Sequence, residues 1–427
     1  MNKEPSTKTD IIKNAGKLLS ANLLVQLLAL ATYPVLSRLF TPADFGLLAL
    51  FLSAGDIVGR MSTLSIEESI LLPKREKEAY SIAGVGVYAV GIVALLTLLF
   101  VLFNRFVVEV VEIGNSFFWL PLYVLILGLV RVCIYLFNRY KLYKNISFSI
   151  SGQGISNAAL RLSSGFLRLP YVALIASATL SQVVSLAIYV AAMVKRRLFR
   201  LFYFPSYNET KQILSKYHQF PRYVMTQNFL NSLSTNLPYF MLIGTFGATE
   251  LGLYSMAFTF AFTPVNVFSA SVYRVLYEKF SSLKNQTKRM GAVFSGYVKV
   301  VLAIALPVFI VIGYFAEELF GFVLGAEWVP AGRYFRIILP WIFMGLLLGP
   351  LASVGLIFAK QRYVFWAYAV LLLFRAGALL AGLFFDSMPF ALILFSASGV
   401  VVMGWLFFCY FSWIKEYDKG CASGEPL

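Results

Sequence analysis

The chain has 427 residues, with 36 Lys and Arg against 20 Asp and Glu and a net charge of +16. Apolar residues make up 59% and charged residues 13%, whereas a soluble domain carries about 25% charged and 45–50% apolar residues. This composition excludes an ordinary soluble enzyme, a disordered tail protein and a disulfide scaffold. In so apolar a chain the positive charge indicates the cytoplasmic face of a membrane, and no nucleic acid is expected as a partner.

Twelve apolar segments are long enough to cross a bilayer as helices, which takes about 20 residues. In chain order they are Leu18–Ser37, Phe45–Ser65, Ala79–Asn104, Phe117–Asn138, Phe148–Leu167, Leu169–Val194, Tyr223–Thr249, Leu251–Tyr273, Ala292–Ala316, Ile337–Ala359, Tyr363–Phe385 and Ser387–Ile414. Only helices satisfy their own backbone hydrogen bonds within one segment in lipid. The sequence therefore predicts an all-α polytopic membrane protein with 12 transmembrane helices.

The basic residues predict the orientation of these spans. An even number of spans puts both termini on one side of the membrane, and most Lys and Arg residues fall in the segments on that same side. The segments on the other side contain only Arg38, Arg105, Arg168, Arg333 and Arg336. Cytoplasmic loops carry the excess of Lys and Arg, so both termini are predicted to be cytoplasmic.

An internal repeat appears when the chain is shifted by 206 residues. Asn22 then aligns with Asn228 and Gly46 with Gly252. Since both halves begin in the cytoplasm, the repeat is parallel. It predicts a six-helix lobe at 1–194, a basic cytoplasmic linker at 195–222 and a second six-helix lobe at 223–427. Parallel halves are typical of transporters that handle their substrate between the halves.

Six charges fall inside predicted spans, where each costs about 2.5–3.5 kcal/mol at the bilayer centre. They are Asp56, Arg60, Arg131, Arg161, Lys299 and Arg375. Asp56 and Arg60 can pair as i,i+4 neighbours, and Glu67 or Glu68 can relieve one further cation. Two interpretations remain open: carbonyls and lipid head groups satisfy the cations, or they line a cavity for an anionic substrate. Arginine suits phosphate because its planar fork donates two parallel hydrogen bonds.

Polar side chains form stripes on three predicted spans. The first span carries Asn22 and Gln26, the fifth carries Ser149, Gln153, Asn157 and Arg161, and the seventh carries Asn228, Asn231, Ser232 and Thr235. These stripes either bond helix to helix or line a cavity for a sugar-bearing substrate. Prolines at matching places, Pro34 and Pro238, are candidates for helix bends. The sequence contains no catalytic constellation and no Gly-rich phosphate loop with Lys and Ser or Thr, so neither an enzyme nor a cofactor is expected, and a single His argues against a metal site.

Several strings resemble Wzx-type O-antigen flippases of the multidrug/oligosaccharidyl-lipid/polysaccharide exporter superfamily. They include Pro34-Val35-Leu36-Ser37-Arg38-Leu39-Phe40-Thr41-Pro42-Ala43-Asp44-Phe45-Gly46, Ile70-Leu71-Leu72-Pro73-Lys74, and Gly325-Ala326-Glu327-Trp328-Val329-Pro330-Ala331-Gly332. The resemblance implies two lobes around a central cationic cavity in the bacterial inner membrane. It implies undecaprenyl-pyrophosphate-linked oligosaccharide as cargo, with a polysaccharide polymerase and a chain-length regulator as partners.

The resemblance and the charges together predict roles for the residues. The pyrophosphate is assigned to Arg60, Arg161, Arg375, Arg131 and Lys299, and the sugars to Asn22, Gln26, Gln153, Asn157, Asn228 and Asn231. Asp56 is the candidate for coupling to H⁺ or Na⁺, with a purely structural pair to Arg60 as the alternative. Other functions left open are a lipid II flippase or small-molecule antiporter of the same superfamily, and a membrane polysaccharide polymerase or ligase.

Overall fold

Helices account for nearly all of the described part of the computed structural model, which comprises residues 8–105, 115–195 and 203–423. The helices of the first half are α1 (Lys8–Leu36), α2 (Pro42–Met61), α3 (Glu76–Phe103), α4 (Leu120–Arg139), α5 (Tyr143–Phe166), α6 (Val172–Lys195) and α7 (Tyr207–Lys216). They are followed by α8 (Met225–Asn285), α9 (Gly291–Val300), α10 (Leu306–Tyr314), α11 (Ala316–Leu324), α12 (Val329–Leu348), α13 (Ala352–Ile357), α14 (Gln361–Phe384) and α15 (Met388–Ser423). Residues 196–202, which belong to the predicted linker at 195–222, lie outside the described residues.

Nine helices of the described chain are long and apolar enough to cross a membrane. One of them, Phe220–Asn285, has 66 residues, and its backbone leaves the helical conformation at Gly247 (φ 82°, ψ 177°). The polar stripe of α5 keeps that helix outside the nine. The fold class is confirmed as an all-α polytopic membrane protein, while the count of twelve spans stays a prediction.

The backbone of α8 leaves the helical conformation at Gly247, close to the predicted boundary between the seventh and eighth spans at Thr249 and Leu251. Pro238 is accommodated within α8, just as Pro34 is accommodated within α1. Gly247 adopts a combination of φ and ψ that is essentially confined to glycine. The chain can therefore reverse direction within α8 without a separate loop, which divides this long helix into two segments.

The chain forms two compact units, which are described separately. The first comprises residues 1–40 and 47–239, and the second comprises residues 41–46 and 240–427. In the first unit, α1 packs closely on α5 because α5 carries small residues at the contact. A Cβ atom on Gly154 would lie 2.4 Å from Val25, and one on Gly165 would lie 2.7 Å from Leu39.

A tight turn follows α2 in the first unit. Leu64 and Ser65 both have positive φ, 54° and 52°, and lead into a 3₁₀ helix at Ile66–Leu71. Arg139 of α4 secures this segment by donating to the carbonyl oxygens of Ile70 and Pro73 at 2.7 and 2.6 Å. These bonds hold the turn against α4 and place Glu67 in the interior.

The second unit contains a close contact between the two repeat-related glycines. A Cβ atom on Gly46 would lie 1.9 Å from the carbonyl oxygen of Ala248, and one on Gly252 would lie 1.7 Å from that of Pro42. The first turn of α2 is fixed here by Asp44, whose Oδ2 accepts from the backbone N and the Oγ1 of Thr41, both at 2.8 Å. Only glycine permits this approach of the two backbones, because a Cβ atom on either residue would overlap the facing carbonyl oxygen.

Candidate functional site

Asp56 is the centre of a polar cluster in the first unit. Arg60, one turn along α2, donates its Nε to both carboxylate oxygens at 2.9 and 3.1 Å. Ser232 Oγ and Asn236 Nδ2 of α8 donate to Asp56 Oδ2 at 2.6 and 3.0 Å. The ion pair predicted between Asp56 and Arg60 is thus formed. The same carboxylate also ties α2 to the first segment of α8.

The charge of Arg131 is neutralised by Glu67, which lies in the 3₁₀ helix after α2. Its Nη2 lies 3.4 Å from Glu67 Oε1, and the Glu67 side chain is completely buried while that of Arg131 is 21% exposed. Neither carboxylate oxygen of Glu67 has a hydrogen-bond partner among the described residues. Burial raises the pKa of Glu67, and the charge of Arg131 opposes that rise. Arg131, one of the cations predicted to bind pyrophosphate, therefore already has a carboxylate partner.

Arg161 remains a buried cation without an ion pair in the described part of the first unit. It is 8% exposed, and its Nε has no hydrogen-bond partner. Tyr123, which interacts with Gln182, lies within electrostatic range of both Arg161 and Asp56. Among the described residues, Oε1 of Gln26 on α1 and Oδ1 of Asn157 on α5 are also buried without a partner, as are the hydroxyls of Ser147 and Tyr189. Unpaired buried polar groups cost about 1–3 kcal/mol each.

Arg375 is the buried cation of the second unit. It is 5% exposed, and neither Nε nor Nη2 has a hydrogen-bond partner among the described residues. The guanidinium carbon lies 4.4 Å from the ring centroid of Trp341 and 4.5 Å from that of Phe395. The two rings, on α12 and α15, stabilise the charge through cation–π contacts, each worth up to about 2 kcal/mol when desolvated. The two rings are themselves neighbours, with centroids 5.4 Å apart and planes at 87°, so they approach the guanidinium together and leave Nε and Nη2 without an acceptor among the described residues.

The other residues predicted to bind substrate occupy varied environments. Asn228 donates to Ser65 Oγ at 3.3 Å and to Glu68 Oε1 at 3.4 Å, within the first unit. Gln153 is half-buried, whereas Asn22, Asn231 and Lys299 are exposed. The structure thus brings Arg60 together with Asp56, and gives Arg131 a carboxylate partner. Substrate contact by any of these residues stays a prediction.

Sequence reasoning missed three features of these sites. Asn236 was not among the candidates, although Asn228, Ser232 and Asn236 repeat every four residues and so form one continuous helix face. The complete burial of Glu67 depends on the turn after α2, which has no sequence signature. The rings of Trp341 and Phe395 come from distant helices, and nothing in their local sequence distinguishes them from other aromatic residues of an apolar span.

The family model of a polysaccharide biosynthesis protein matches residues 35–333, more than half of the chain. The chain belongs to this family of polysaccharide biosynthesis proteins. Among curated proteins, none matches it.

Several solved transporter structures share the fold. The lipid II flippase MurJ in an inward closed conformation is 12% identical over 94% of this chain and 91% of its own, with a TM-score of 0.69. A mutant of the Vibrio cholerae MATE transporter VcmN is 14% identical over 95% of this chain and 96% of its own, with a TM-score of 0.57. A MOP-superfamily transporter from Pyrococcus furiosus is 16% identical over 98% of this chain and 100% of its own, with a TM-score of 0.55. At these identities the likeness concerns the fold, which is that of MOP-superfamily transporters.

Proposed function

We propose that this protein is a flippase for undecaprenyl-pyrophosphate-linked oligosaccharide repeat units. It moves them from the cytoplasmic to the periplasmic leaflet of the bacterial inner membrane, with both of its termini in the cytoplasm, for O-antigen or a related surface polysaccharide. The observation that carries the proposal is that each unit buries one guanidinium group, Arg161 in the first and Arg375 in the second, with nitrogens that lack a partner among the described residues, in a chain of the polysaccharide biosynthesis family. A polysaccharide polymerase and a chain-length regulator are the partners expected beside it.

A pyrophosphate fits the chemistry of these two residues. Arg161 and Arg375 are buried inside predicted spans, where an uncompensated charge is costly, and a phosphate oxygen would supply the missing acceptor in a charge-assisted hydrogen bond. The ion pairs of Arg60 and Arg131 leave those two cations less able to attract an anion. Within the proposed set, Arg161 and Arg375 are therefore the principal phosphate ligands.

The sugar part of the cargo is assigned to amide side chains. Gln26 and Asn157 lie on α1 and α5, the two helices that pack together in the first unit, and each has a buried carbonyl oxygen without a donor. Sugar hydroxyls donate hydrogen bonds of the required kind. Asn157 is also one turn from Arg161 on the same helix, so a glycosyl pyrophosphate would meet an acceptor and a cation on one helix face.

Ion coupling is assigned to Asp56. Protonation of its carboxylate would remove the charge that holds Arg60 and weaken the bonds from Ser232 and Asn236 of α8. The helix tie would then depend on the protonation or ion occupancy of a single residue, which is the requirement for coupling to H⁺ or Na⁺. If an Asp56→Asn protein kept its full dependence on the ion gradient, Asp56 would have only the structural role.

The phosphate role is tested by complementation of a deletion strain. Arg161→Ala and Arg375→Ala are compared with Lys144→Ala on α5 and Arg362→Ala on α14, which remove exposed cations from the same two helices. We expect both buried variants to lose surface polysaccharide at normal membrane abundance, while the two control variants keep it. Normal flipping by Arg161→Ala and Arg375→Ala would remove the basis of the proposal.

A further inference from the structure

An apolar groove of about 770 Å³ runs along the surface of the second unit between α10 and α12. Phe309 and Ile310 line one wall and Phe343 and Met344 the other. Phe309 and Phe343 meet across the groove with ring centroids 5.3 Å apart. The groove exists because the helix Gly291–Tyr314 is loosely packed. In the most apolar part of this helix 11% of the residues are buried, against 67% in that of Ala326–Leu348.

The length of the groove matches one leaflet of a bilayer. Its wall α10 has nine residues, which corresponds to about 13 Å at 1.5 Å per residue. Half of a hydrocarbon core of about 30 Å is of the same size. At Leu306 the groove ends beside a π-helical stretch, Val301–Ala305. One acyl chain of a single leaflet can therefore lie in the groove along its whole length.

The opposite end of the groove, near Gly313 and Tyr314, is polar and carries charges of both signs. Arg336 lines it and is fixed in place, since its Nε donates to the Gly313 carbonyl at 2.9 Å and its Nη2 lies 3.3 Å from Glu317. Its Nη1 takes part in none of these bonds. Because Glu317 Oε1 also lies 4.0 Å from Arg333 Nε, this carboxylate is shared between two cations and leaves Arg336 part of its charge. Glu318 lines the same end, is exposed, and forms no ion pair within the described part of the chain.

We propose that this groove binds one phospholipid with a zwitterionic phosphoethanolamine head group. The phosphate lies at Arg336, the ammonium group lies at Glu318, and one acyl chain follows Phe309 and Phe343. With the proposed orientation of the protein this is a lipid of the outer leaflet, but the binding itself does not depend on flippase activity.

The charges favour this head group over the alternatives. Phosphatidylglycerol carries the same single phosphate charge but has no ammonium group for Glu318, and a prenyl pyrophosphate would place a further negative charge beside Glu317 and Glu318. A phosphocholine head group carries the positive charge but has no N–H to donate to Glu318. Of these head groups, phosphoethanolamine alone supplies both a phosphate for Arg336 and a cationic N–H donor for the carboxylate.

Lipid binding to the full-length purified protein tests the proposal. Delipidated protein in detergent is titrated with phosphatidylethanolamine, phosphatidylcholine and phosphatidylglycerol of identical acyl chains, and bound lipid is counted by native mass spectrometry. We expect phosphatidylethanolamine to bind about tenfold more tightly than the other two, the value of one charge-assisted hydrogen bond. Equal binding of all three lipids, or a preference for phosphatidylglycerol, would overturn the proposal.

Three variants locate the site. Glu318→Gln is expected to abolish the preference for phosphatidylethanolamine over phosphatidylcholine, whereas Glu327→Gln, which removes another exposed carboxylate of the second unit outside the groove, is expected to keep it. Met344→Trp fills the groove and is expected to reduce binding of every lipid. An unchanged preference in Glu318→Gln would refute the site. Because no substrate is present, these outcomes are independent of whether the protein flips the proposed cargo.

Discussion

Replacing Arg131 by alanine is expected to destabilise the first unit by about 3–5 kcal/mol, the cost of leaving one charge of a buried pair without its partner. The reasoning rests on Glu67, whose side chain is completely buried and lies 3.4 Å from Arg131. The Thr63 hydroxyl and a backbone N–H also favour the charged form of Glu67, but neither supplies the positive charge that Arg131 does. The Glu67→Gln substitution removes the charge and keeps the shape, so it is expected to rescue the Arg131→Ala protein.

The assay compares the wild type, Arg131→Ala, Glu67→Gln and the double variant, which together form a double-mutant cycle. Each protein is heated in detergent, and the fraction that stays folded is measured by size-exclusion chromatography. We expect the wild type and Glu67→Gln to be similar, the double variant to be intermediate and Arg131→Ala to be least stable. The four midpoints give the coupling between the two side chains. If Arg131→Ala were as stable as the double variant, the ion pair would contribute nothing and the reasoning would fail.

The pH dependence provides an independent check on the same pair. Burial raises the pKa of Glu67 in the folded state, so the folded protein holds this proton more tightly than the unfolded chain. Stability is then lost as the pH rises from the unfolded pKa of about 4.3 through the folded one. Arg131→Ala removes the opposing charge, so lowering the pH from neutral is expected to recover more stability in that variant than in the wild type.

Other substitutions test separate parts of the structure. Gly247→Ala forces a side chain into a conformation confined to glycine and is expected to cost about 1–3 kcal/mol, measured by thermal unfolding against Gly244→Ala as a control with open space around it. Gly46→Ala places a Cβ atom 1.9 Å from the Ala248 carbonyl, so a cysteine-accessibility probe near the first turn of α2 is expected to react faster, and an unchanged rate would contradict the contact. Trp341→Leu removes one ring from Arg375, and we expect lower stability and weaker complementation, whereas Trp341→Phe is expected to keep most of both.

The membrane class and the helical fold could be predicted from composition and hydropathy, because long apolar segments have few alternatives in lipid. The Asp56–Arg60 pair was also predictable, since i,i+4 neighbours meet on any helix. The burial of Glu67 was not, because it depends on two consecutive residues with positive φ, Leu64 and Ser65, that no local pattern indicates.

The turn between the seventh and eighth spans could be located from hydropathy to within a few residues. The predicted boundary lies at Thr249 and Leu251, and α8 departs from helical geometry at Gly247. The bends at Pro34 and Pro238 stay predictions. Partners that come from distant helices, such as the rings around Arg375, depend on packing that one sequence does not specify.

The location of the lipid-linked repeat unit tests the central claim most directly. In a bacterium that lacks this gene, the unit is quantified separately in the two leaflets together with the surface polysaccharide. The flippase account predicts that the unit accumulates on the cytoplasmic face, that surface polymer is lost, and that the wild-type gene restores both. If single units instead reach the periplasmic face and remain unpolymerised, the protein acts after translocation and the account is contradicted.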